Sequence, residues 1–280
     1  MTFQENLISL QDEIGRTFKL DQKDYRLDIR EGEIEGRLLG LQLQSVFQPI
    51  YDIYSKRPLG YEALLRATDA NQRAVAPPRA FHQAEIAGEL IKFDRVCRTL
   101  HTLNFLNMAP IKGLLFLNVH PQLLVTVNSH GKVFEQVLHE HSVPTDQVVI
   151  EINEGAVEQE DLLSYAIANY RERGYKIALD DFGRHHSNLE RLWRLSPDYV
   201  KFDGSLIQQA EKNTPLQKVL PKLIEIVRDL GGQTIVEGIE TPKQEELAIR
   251  AGAHLLQGYH IGRPAPSQAI ALERYCNIFL

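Results

Sequence analysis

The sequence predicts a closed β/α barrel of the TIM-like (β/α)8 type, with one strand of the first pair antiparallel and an N-terminal helical extension. From Leu41 onward, apolar β-branched runs alternate with helical segments about eight times. Several runs are continuously apolar, which is typical of parallel strands buried on both faces. No G-x-G-x-x-G or G-x-x-x-x-G-K-[ST] motif follows a strand. The doubly wound nucleotide-binding folds therefore lose their usual support.

Eight barrel strands follow from this alternation. They are predicted at residues 43–51, 59–65, 113–119, 147–152, 176–180, 199–201, 234–237 and 254–258. Only residues 55–58 separate the first two strands. Four residues can form a hairpin, whereas a parallel crossover needs a dozen or more, so the sheet is expected to begin with an antiparallel pair.

The helices between these strands have recognisable ends. A long helical segment is predicted at 79–106, after two prolines. Thr241 is a predicted N-cap, with Pro242 at the first helical position and Gln244 at the third. The segment Asn213-Thr214-Pro215 opens another helix, which Gly231-Gly232 ends.

The first 34 residues are predicted to be separate from the barrel, which occupies residues 35–280. Five apolar residues lie on one helix face: Phe3, Leu7, Leu10, Ile14 and Phe18. This helix either packs on the barrel or serves as a docking or dimer helix for a protein partner. The charged stretch 21–36 is expected to be a connector, with a short strand at 25–29.

Composition excludes several classes of protein. The chain has 280 residues, 43% of them hydrophobic, and 31 Lys+Arg against 37 Asp+Glu give a net charge of −6. This balance is that of a soluble globular protein, and it provides no general field for duplex nucleic acid. With neither a signal peptide nor a run long enough for a membrane span, a cytoplasmic location is predicted. The two cysteines, Cys97 and Cys276, are expected to be reduced and buried.

Polar residues lie at or near the ends of the predicted strands. They are Gln48, Glu62, Asn118, Glu151, Asp180, Asp181, Lys201, Asp203, Glu237 and Gln257. In a β/α barrel the strand ends meet at one mouth, which would bring five carboxylates together. Two like charges about 4 Å apart cost roughly 4 kcal/mol at an effective dielectric constant of 20, so these carboxylates either protonate or bind cations. Such oxygen ligands favour Mg²⁺ or Mn²⁺. Alternatively, an individual acid caps a helix or joins a surface ion pair.

Ordered motifs in the chain resemble the EAL domain, a cyclic di-GMP phosphodiesterase module. The resemblance begins with Phe47-Gln48-Pro49-Ile50 and Tyr61-Glu62-Ala63-Leu64-Leu65-Arg66. It continues through Phe116–Val119, Val149–Glu154, Ala178–Gly183, Val200–Asp203, Val236–Glu240 and Gln257–Tyr259. It covers about residues 35 to 275.

This resemblance implies hydrolysis of cyclic di-GMP to linear pGpG with two Mg²⁺ or Mn²⁺ ions, and a homodimer. One ion would be bound by Glu62, Asn118, Glu151 and Asp180, and the other by Asp180, Asp181 and Glu237. Lys201 would hold the attacking water, and Gln257 would support the metal–water network. The dinucleotide would contact Gln48, Leu65, Arg66 and Asp203, with Arg66 on phosphate. Glu154 would anchor the loop that follows the two aspartates.

That loop departs from the pattern of the family. Arg184, His185 and His186 replace a small residue, a glycine and an aromatic residue, and Asn153 replaces the usual threonine. Histidine adopts positive φ less readily than glycine, so the loop backbone is expected to differ. Two alternatives stay open. One is a catalytically weak or silent cyclic di-GMP receptor that signals through the N-terminal helix or dimer contacts. The other is a metal hydrolase for a different phosphodiester.

Overall fold

The computed structural model describes residues 11–12, 15–16, 25–108, 113–126, 132–153, 157, 159–184 and 189–278. The chain divides into two compact units. The first unit consists of Met1–Phe47, Ala63–Lys112 and Ala265–Leu280. The second, called the barrel unit below, consists of Gln48–Glu62 and Gly113–Pro264.

The described residues form eleven strands. In chain order they are β1 Tyr25–Arg30, β2 Glu33–Leu38, β3 Leu41–Asp52, β4 Arg57–Thr68, β5 Ala74–Val75, β6 Leu114–Asn118, β7 Val148–Asn153, β8 Lys176–Phe182, β9 Tyr199–Phe202, β10 Gln233–Val236 and β11 Leu255–Leu256. All eight predicted barrel strands are present. Their ends differ from the prediction by a few residues, as strand ends commonly do.

The described α-helices number ten. They are α1 Pro77–Ile86, α2 Leu90–Leu106, α3 Pro121–Thr126, α4 Lys132–Glu140, α5 Glu160–Glu172, α6 Leu189–Leu195, α7 Gly204–Ala210, α8 Thr214–Asp229, α9 Pro242–Arg250 and α10 Ser267–Ile278. A 3₁₀ turn spans Thr145–Gln147. Among the described residues, no helix is long and apolar enough to cross a membrane.

Eight strands close the barrel, which confirms the predicted fold class. The strand order is β3-β11-β10-β9-β8-β7-β6-β4, and a pairing between β3 and β4 completes the ring. Neighbours from β6 through β11 are parallel, whereas β3 runs antiparallel to β11. The antiparallel strand predicted for the first pair is therefore β3.

One layer of buried side chains fills the barrel interior. It consists of Ile50, Phe116, Val149, Ala178, Tyr199, Ile235 and Leu255. The Phe116 and Tyr199 rings meet edge to face with centroids 5.3 Å apart. The neighbouring strands β4 and β6 approach each other closely at Gly60. A side chain has no room there, since a Cβ on Gly60 would lie 2.3 Å from the Leu114 carbonyl oxygen.

Two helix starts agree with the sequence prediction. The Thr241 side chain accepts from the backbone N–H of Gln244, and the Gln244 side chain accepts from that of Thr241, so the capping box at α9 is complete. The Asn213 side chain caps α8 by accepting from Leu216 N. These caps satisfy backbone donors that have no partner inside their helices.

The first unit corrects two expectations. The stretch expected as a connector holds the predicted short strand, β1, and also the start of β2, which pairs antiparallel with both β1 and β3. The helix predicted at 79–106 is two helices, α1 and α2, because Gly88 lies between them at a φ of +70°. Cys97 is free and buried, as predicted.

The predicted N-terminal helix falls largely outside the described residues. Within it, residues 11–12 and 15–16 are described and helical. The Gln11 side chain accepts a hydrogen bond from Leu27 N at 3.1 Å, which links this segment to β1. The division at residues 34 and 35 stays a prediction.

Candidate active site

The polar side chains at the barrel mouth follow from strand alternation. On or directly after each of the parallel strands β6 to β11, a site residue comes two positions after a residue of the apolar layer. The pairs are Phe116 and Asn118, Val149 and Glu151, Ala178 and Asp180, Tyr199 and Lys201, Ile235 and Glu237, and Leu255 and Gln257. Alternate strand residues face the same side, so each pair points into the barrel. On antiparallel β3 the order reverses, and Gln48 comes two positions before Ile50.

Lys201 lies at the centre of this polar layer. Its Nζ atom lies close to four carboxylates: 3.0 Å from Glu62 Oε2, 2.8 Å from Glu151 Oε1, 3.5 Å from Asp180 Oδ1 and 2.8 Å from Glu237 Oε1. The Lys201 side chain is only 1% exposed. The predicted crowding of acids around a single cation is therefore present in the barrel unit.

Three amide side chains form a hydrogen-bond network around Glu62. Asn118 Nδ2 donates to Glu62 Oε1 at 3.0 Å and to Glu151 Oε2 at 2.9 Å. Gln257 Nε2 donates to Glu62 Oε2 at 2.7 Å and lies 3.5 Å from the Gln48 Oε1 acceptor. Gln48 Nε2 in turn donates to the Gly262 carbonyl at 3.1 Å. These bonds fix the orientation of Glu62, which receives amide donors on both oxygens.

The protonation equilibria reflect an excess of buried negative charge. Burial, together with the charges of Glu62 and Asp180, raises the pKa of Glu151 well above its usual range. Burial likewise raises the pKa of Glu237 to about 8, and it raises the pKa of Asp180. Burial opposes the charged form of Lys201, but the four carboxylates outweigh it and raise the Lys201 pKa well above normal. One lysine is therefore too little positive charge for this group of acids.

Glu62 behaves differently from its neighbours. Burial favours its neutral form, yet the Lys201 charge and the hydrogen bonds from Gln257 and Asn118 lower its pKa. Of the four carboxylates that contact Lys201, Glu62 is thus the one whose surroundings favour the ionised form. An ionised, oriented carboxylate is the form that binds a hard cation.

The two consecutive aspartates occupy an irregular part of β8. The pairing of β8 with β9 shifts register between Leu179 and Phe182, and Asp181 has a φ of +60°. Aspartate is one of the few residues that enter this left-handed region readily. The shift separates the two side chains. Asp180 faces Lys201, whereas Asp181 accepts a hydrogen bond from Asn153 Nδ2 and lies 3.6 Å from Arg184 Nη1.

Other predicted site residues have different surroundings. Asp203 is the N-cap of α7, and its Oδ1 accepts from Ser205 N at 2.9 Å. Leu65 and Arg66 lie on β4 within the first unit, where Leu65 is buried and Arg66 is exposed. Arg66 Nη1 donates to the Leu65 carbonyl. Glu154 and the loop histidines at 185 and 186 lie outside the described residues.

A cavity of about 310 Å³ opens beside Glu62 and Glu237, two of the carboxylates that contact Lys201. It is lined by Gln48, Glu62, Gly204, Glu237, Gly238, Glu240, Gln257, Gly258 and Tyr259. Glu240 and Tyr259 lie within the sequence motifs Val236–Glu240 and Gln257–Tyr259, but no role is predicted for them from the sequence. Their positions shortly after Glu237 and Gln257 in those motifs were the available signal.

The donor set fits divalent cations, although no group of three or more His, Cys, Asp or Glu among the described residues is arranged as a ready-made cage. The carboxylates instead turn toward the Lys201 ammonium. The amide oxygen of Gln257 is buried and accepts no hydrogen bond from any described residue. Surplus carboxylate charge and an unpartnered oxygen are features that Mg²⁺ or Mn²⁺ would satisfy.

Comparison with known proteins agrees with the motifs. The family model described as "EAL domain" matches residues 32–264. A protein of Escherichia coli strain K12, named "Probable cyclic di-GMP phosphodiesterase PdeN", is 29% identical over 234 residues, which are 80% of this chain and 44% of that protein. The chain spans about half the length of the curated relatives that it matches.

Two solved structures share the fold. A manganese and cyclic di-GMP complex of Klebsiella pneumoniae BlrP1 has a TM-score of 0.74 at 24% identity, covering 95% of this chain and 67% of that one. A cyclic di-GMP-bound standalone EAL protein of Vibrio cholerae O395 has a TM-score of 0.67 at 23% identity, covering 82% and 94%. At these identities the likeness establishes the fold.

Proposed function

Because the chain belongs to the EAL domain family, we propose that it hydrolyses cyclic di-GMP to linear pGpG with two divalent cations, Mg²⁺ or Mn²⁺. The observation that carries the proposal is the set of four carboxylates around the single ammonium of Lys201. Relatives in the same family are named cyclic di-GMP phosphodiesterases, and structures of the fold hold cyclic di-GMP together with manganese.

The proposed cation ligands come from β4, β6, β7, β8 and the residue after β10. Glu62, Asn118, Glu151 and Asp180 would hold one ion, and Asp180, Asp181 and Glu237 the other. Divalent cations, when bound, would supply Lewis-acid activation of water and stabilisation of the leaving oxygen. Asn118 would have to turn its carbonyl oxygen inward, because its amide nitrogen now donates to Glu62 and Glu151.

Lys201 is proposed to position the attacking water. An ammonium has three N–H donors and no acceptor, so it can donate to the water but cannot take its proton. Glu62, Glu151 and Glu237 now occupy these donors, so one of the three contacts would have to be released when the carboxylates bind cations. The four carboxylates hold Nζ at the centre of the polar layer, which fixes where such a water would lie. Proton removal then falls to one of the carboxylates.

Substrate contacts are proposed for the remaining residues of the predicted site. Gln48 and Gln257 form a hydrogen-bonded pair beside the cavity and would contact the dinucleotide and support the water network, respectively. Leu65, Arg66 and Asp203 would complete the contacts, with Arg66 on phosphate, and Glu154 would anchor the loop. Homodimerisation and a protein partner for residues 1–34 stay predictions.

The receptor alternative has less support than turnover. A receptor that only binds cyclic di-GMP would not need Lys201, or a second aspartate beside Asp180. Both are present, and Lys201 contacts four of the proposed ligands. The altered loop that motivated the alternative begins at Arg184, next to an otherwise complete set of acids.

The test is turnover by the purified chain. After chelation, cyclic di-GMP is added with Mg²⁺, Mn²⁺ or Ca²⁺, and linear pGpG is measured by chromatography. We expect product with Mg²⁺ or Mn²⁺. Absence of product under every metal condition, with tight cyclic di-GMP binding in Ca²⁺, would establish the receptor alternative instead.

A pair of variants tests the ligand assignment. Glu62→Gln keeps the shape of the side chain but removes the ionised oxygen, and we expect turnover to fall by roughly two orders of magnitude or more. Glu246→Gln removes a carboxylate that is 67% exposed and paired with Arg250, and it should leave turnover unchanged. Full activity of Glu62→Gln would mean that Glu62 is not a ligand.

A further inference from the structure

Asp181 is engaged on both carboxylate oxygens. Asn153 Nδ2 donates to Oδ2, and Arg184 Nη1 lies 3.6 Å from Oδ1. The backbone N–H of Arg184 also donates to the Asp181 carbonyl at 3.1 Å, which closes a turn that keeps the guanidinium near the carboxylate. Asp181 thus has a neutral donor on one side and a cation on the other.

This environment differs from that of the other acids in the site. In the part of the chain that the structure describes, Glu62, Glu151, Asp180 and Glu237 form ion pairs with Lys201 and with no arginine. Asp181 forms its ion pair with Arg184, whose side chain is 54% exposed. Asp181 therefore has a counter-charge of its own, and that counter-charge can move into solvent.

A cation that binds Asp181 has to compete with this contact. The φ of +60° and the register shift place Asp181 in an irregular part of β8, and Asn153 and Arg184 contact its two carboxylate oxygens there. A divalent ion would either displace the Arg184 guanidinium or bind beside a positive charge that repels it. Either effect lowers the affinity of the cation position that includes Asp181. Neither affects the position that includes Glu62.

We propose that Arg184 is an internal counter-cation that competes with a divalent ion for Asp181 and so weakens the second cation position relative to the first. The inference rests on the proposed two-cation function. It makes occupancy of the second position depend on metal concentration and on ionic strength, because an exposed charge pair is screened by salt.

The experiment measures Mn²⁺ binding directly, without substrate. Free Mn²⁺ is followed by electron paramagnetic resonance as the full chain is titrated. Arg184→Gln keeps much of the side chain's length but removes its charge, and we expect it to tighten the weaker site by roughly two- to fivefold, the scale of one partly exposed pair. Arg184→Lys keeps the charge and should bind Mn²⁺ as the unchanged protein does.

A matched arginine controls for net charge. Arg228 pairs with Glu225 three residues away at 3.4 Å, the same spacing as Arg184 and Asp181, and it is 60% exposed. Arg228→Gln should leave both Mn²⁺ affinities unchanged. At about 0.5 M salt the difference between Arg184→Gln and the unchanged protein should shrink, since screening removes most of a surface interaction.

The outcomes separate this inference from the proposed function. No Mn²⁺ bound by the unchanged protein would overturn both. Two ions bound, with equal affinities in Arg184→Gln and the unchanged protein, would overturn only the role of Arg184. Equal tightening by Arg184→Gln and Arg184→Lys would also overturn it, because the effect would not come from charge. A single ion in the unchanged protein and two in Arg184→Gln would support it.

Discussion

Nζ of Lys201 lies 2.8 Å from Oε1 of Glu151, and these two side chains are 1% and 0% exposed. A buried carboxylate without a counter-charge is costly, and removal of one partner from such a pair costs about 3–5 kcal/mol. Within the described residues, Lys201 is also the cation within ion-pair distance of Glu62, Asp180 and Glu237. One lysine therefore compensates charge on four strands of the barrel.

We expect Lys201→Met to lower the free energy of unfolding by about 3–5 kcal/mol in chelator, because four carboxylates lose their common cation. Urea denaturation measures this. Saturating Mg²⁺ or Mn²⁺ should restore much of the loss if the acids bind these ions. Lys243→Met is the control, since the lysine in its pair with Glu211 is 67% exposed and such a surface pair contributes little to stability. Equal, small losses in both variants would show that Lys201 is not the common counter-charge.

Asp203 has a structural role that can be separated from its predicted substrate contact. Asp203→Ala removes the side-chain cap of α7 and should lower the free energy of unfolding by about 1 kcal/mol, whereas Asp203→Ser retains a capping oxygen and should lose only a few tenths. Both variants lack the carboxylate. If that carboxylate contacts the dinucleotide, both should raise the KM for cyclic di-GMP alike. A normal KM in Asp203→Ser would reduce Asp203 to a helix cap.

The predictable part of the site depended on the strand ends. In a β/α barrel these ends meet at one mouth, so Glu151 and Lys201 could be expected to lie together from the sequence alone. The contact between Asn153 and Asp181 could not be derived in this way. It depends on a register shift and a positive φ in β8, which are set by neighbouring strands.

Strand β2 could not be predicted for a similar reason. Its alternate residues Glu33 and Glu35 are acidic, and the segment therefore resembles an exposed connector. In the structure Glu35 is buried and accepts from Gln42 and Gln44, whereas Glu33 accepts from Ser267 Oγ at 2.8 Å. Partners of this kind, one of them 234 residues away, are invisible to a local pattern.

A buried histidine in the first unit should make stability depend on pH. His101 is buried, and its Nδ1 lies 2.8 Å from Ser45 Oγ. Burial lowers the pKa of His101 to about 3. An unfolded histidine has a pKa of about 6.5, so the unfolded chain binds the extra proton between these values, and stability falls as the pH falls through this window.

The size of this effect can be isolated by a variant. Relative to His101→Asn, the unchanged protein should lose about 1.5 kcal/mol between pH 6.5 and pH 5. Chemical denaturation at several pH values measures the difference, and other titrating groups cancel in it. A constant difference across this range would mean that His101 already titrates normally in the folded protein.

The loop after Glu237 depends on two glycines in contact. Gly238 has a φ of +65°, and a Cβ there would lie 2.6 Å from Cα of Gly204, at the start of α7. Gly238→Ala should therefore suffer both an unfavourable backbone conformation and a steric clash, together about 2–4 kcal/mol. Gly252→Ala is matched to it, because Gly252 has a φ of +93° with nothing within 4 Å of a built Cβ, and it should lose only about 1 kcal/mol.

Thermal unfolding measures both losses. Since Glu237 directly precedes Gly238, the kcat for cyclic di-GMP should fall in Gly238→Ala but not in Gly252→Ala. Equal losses of stability with unchanged kcat would mean that the two loops move apart without disturbing the carboxylate.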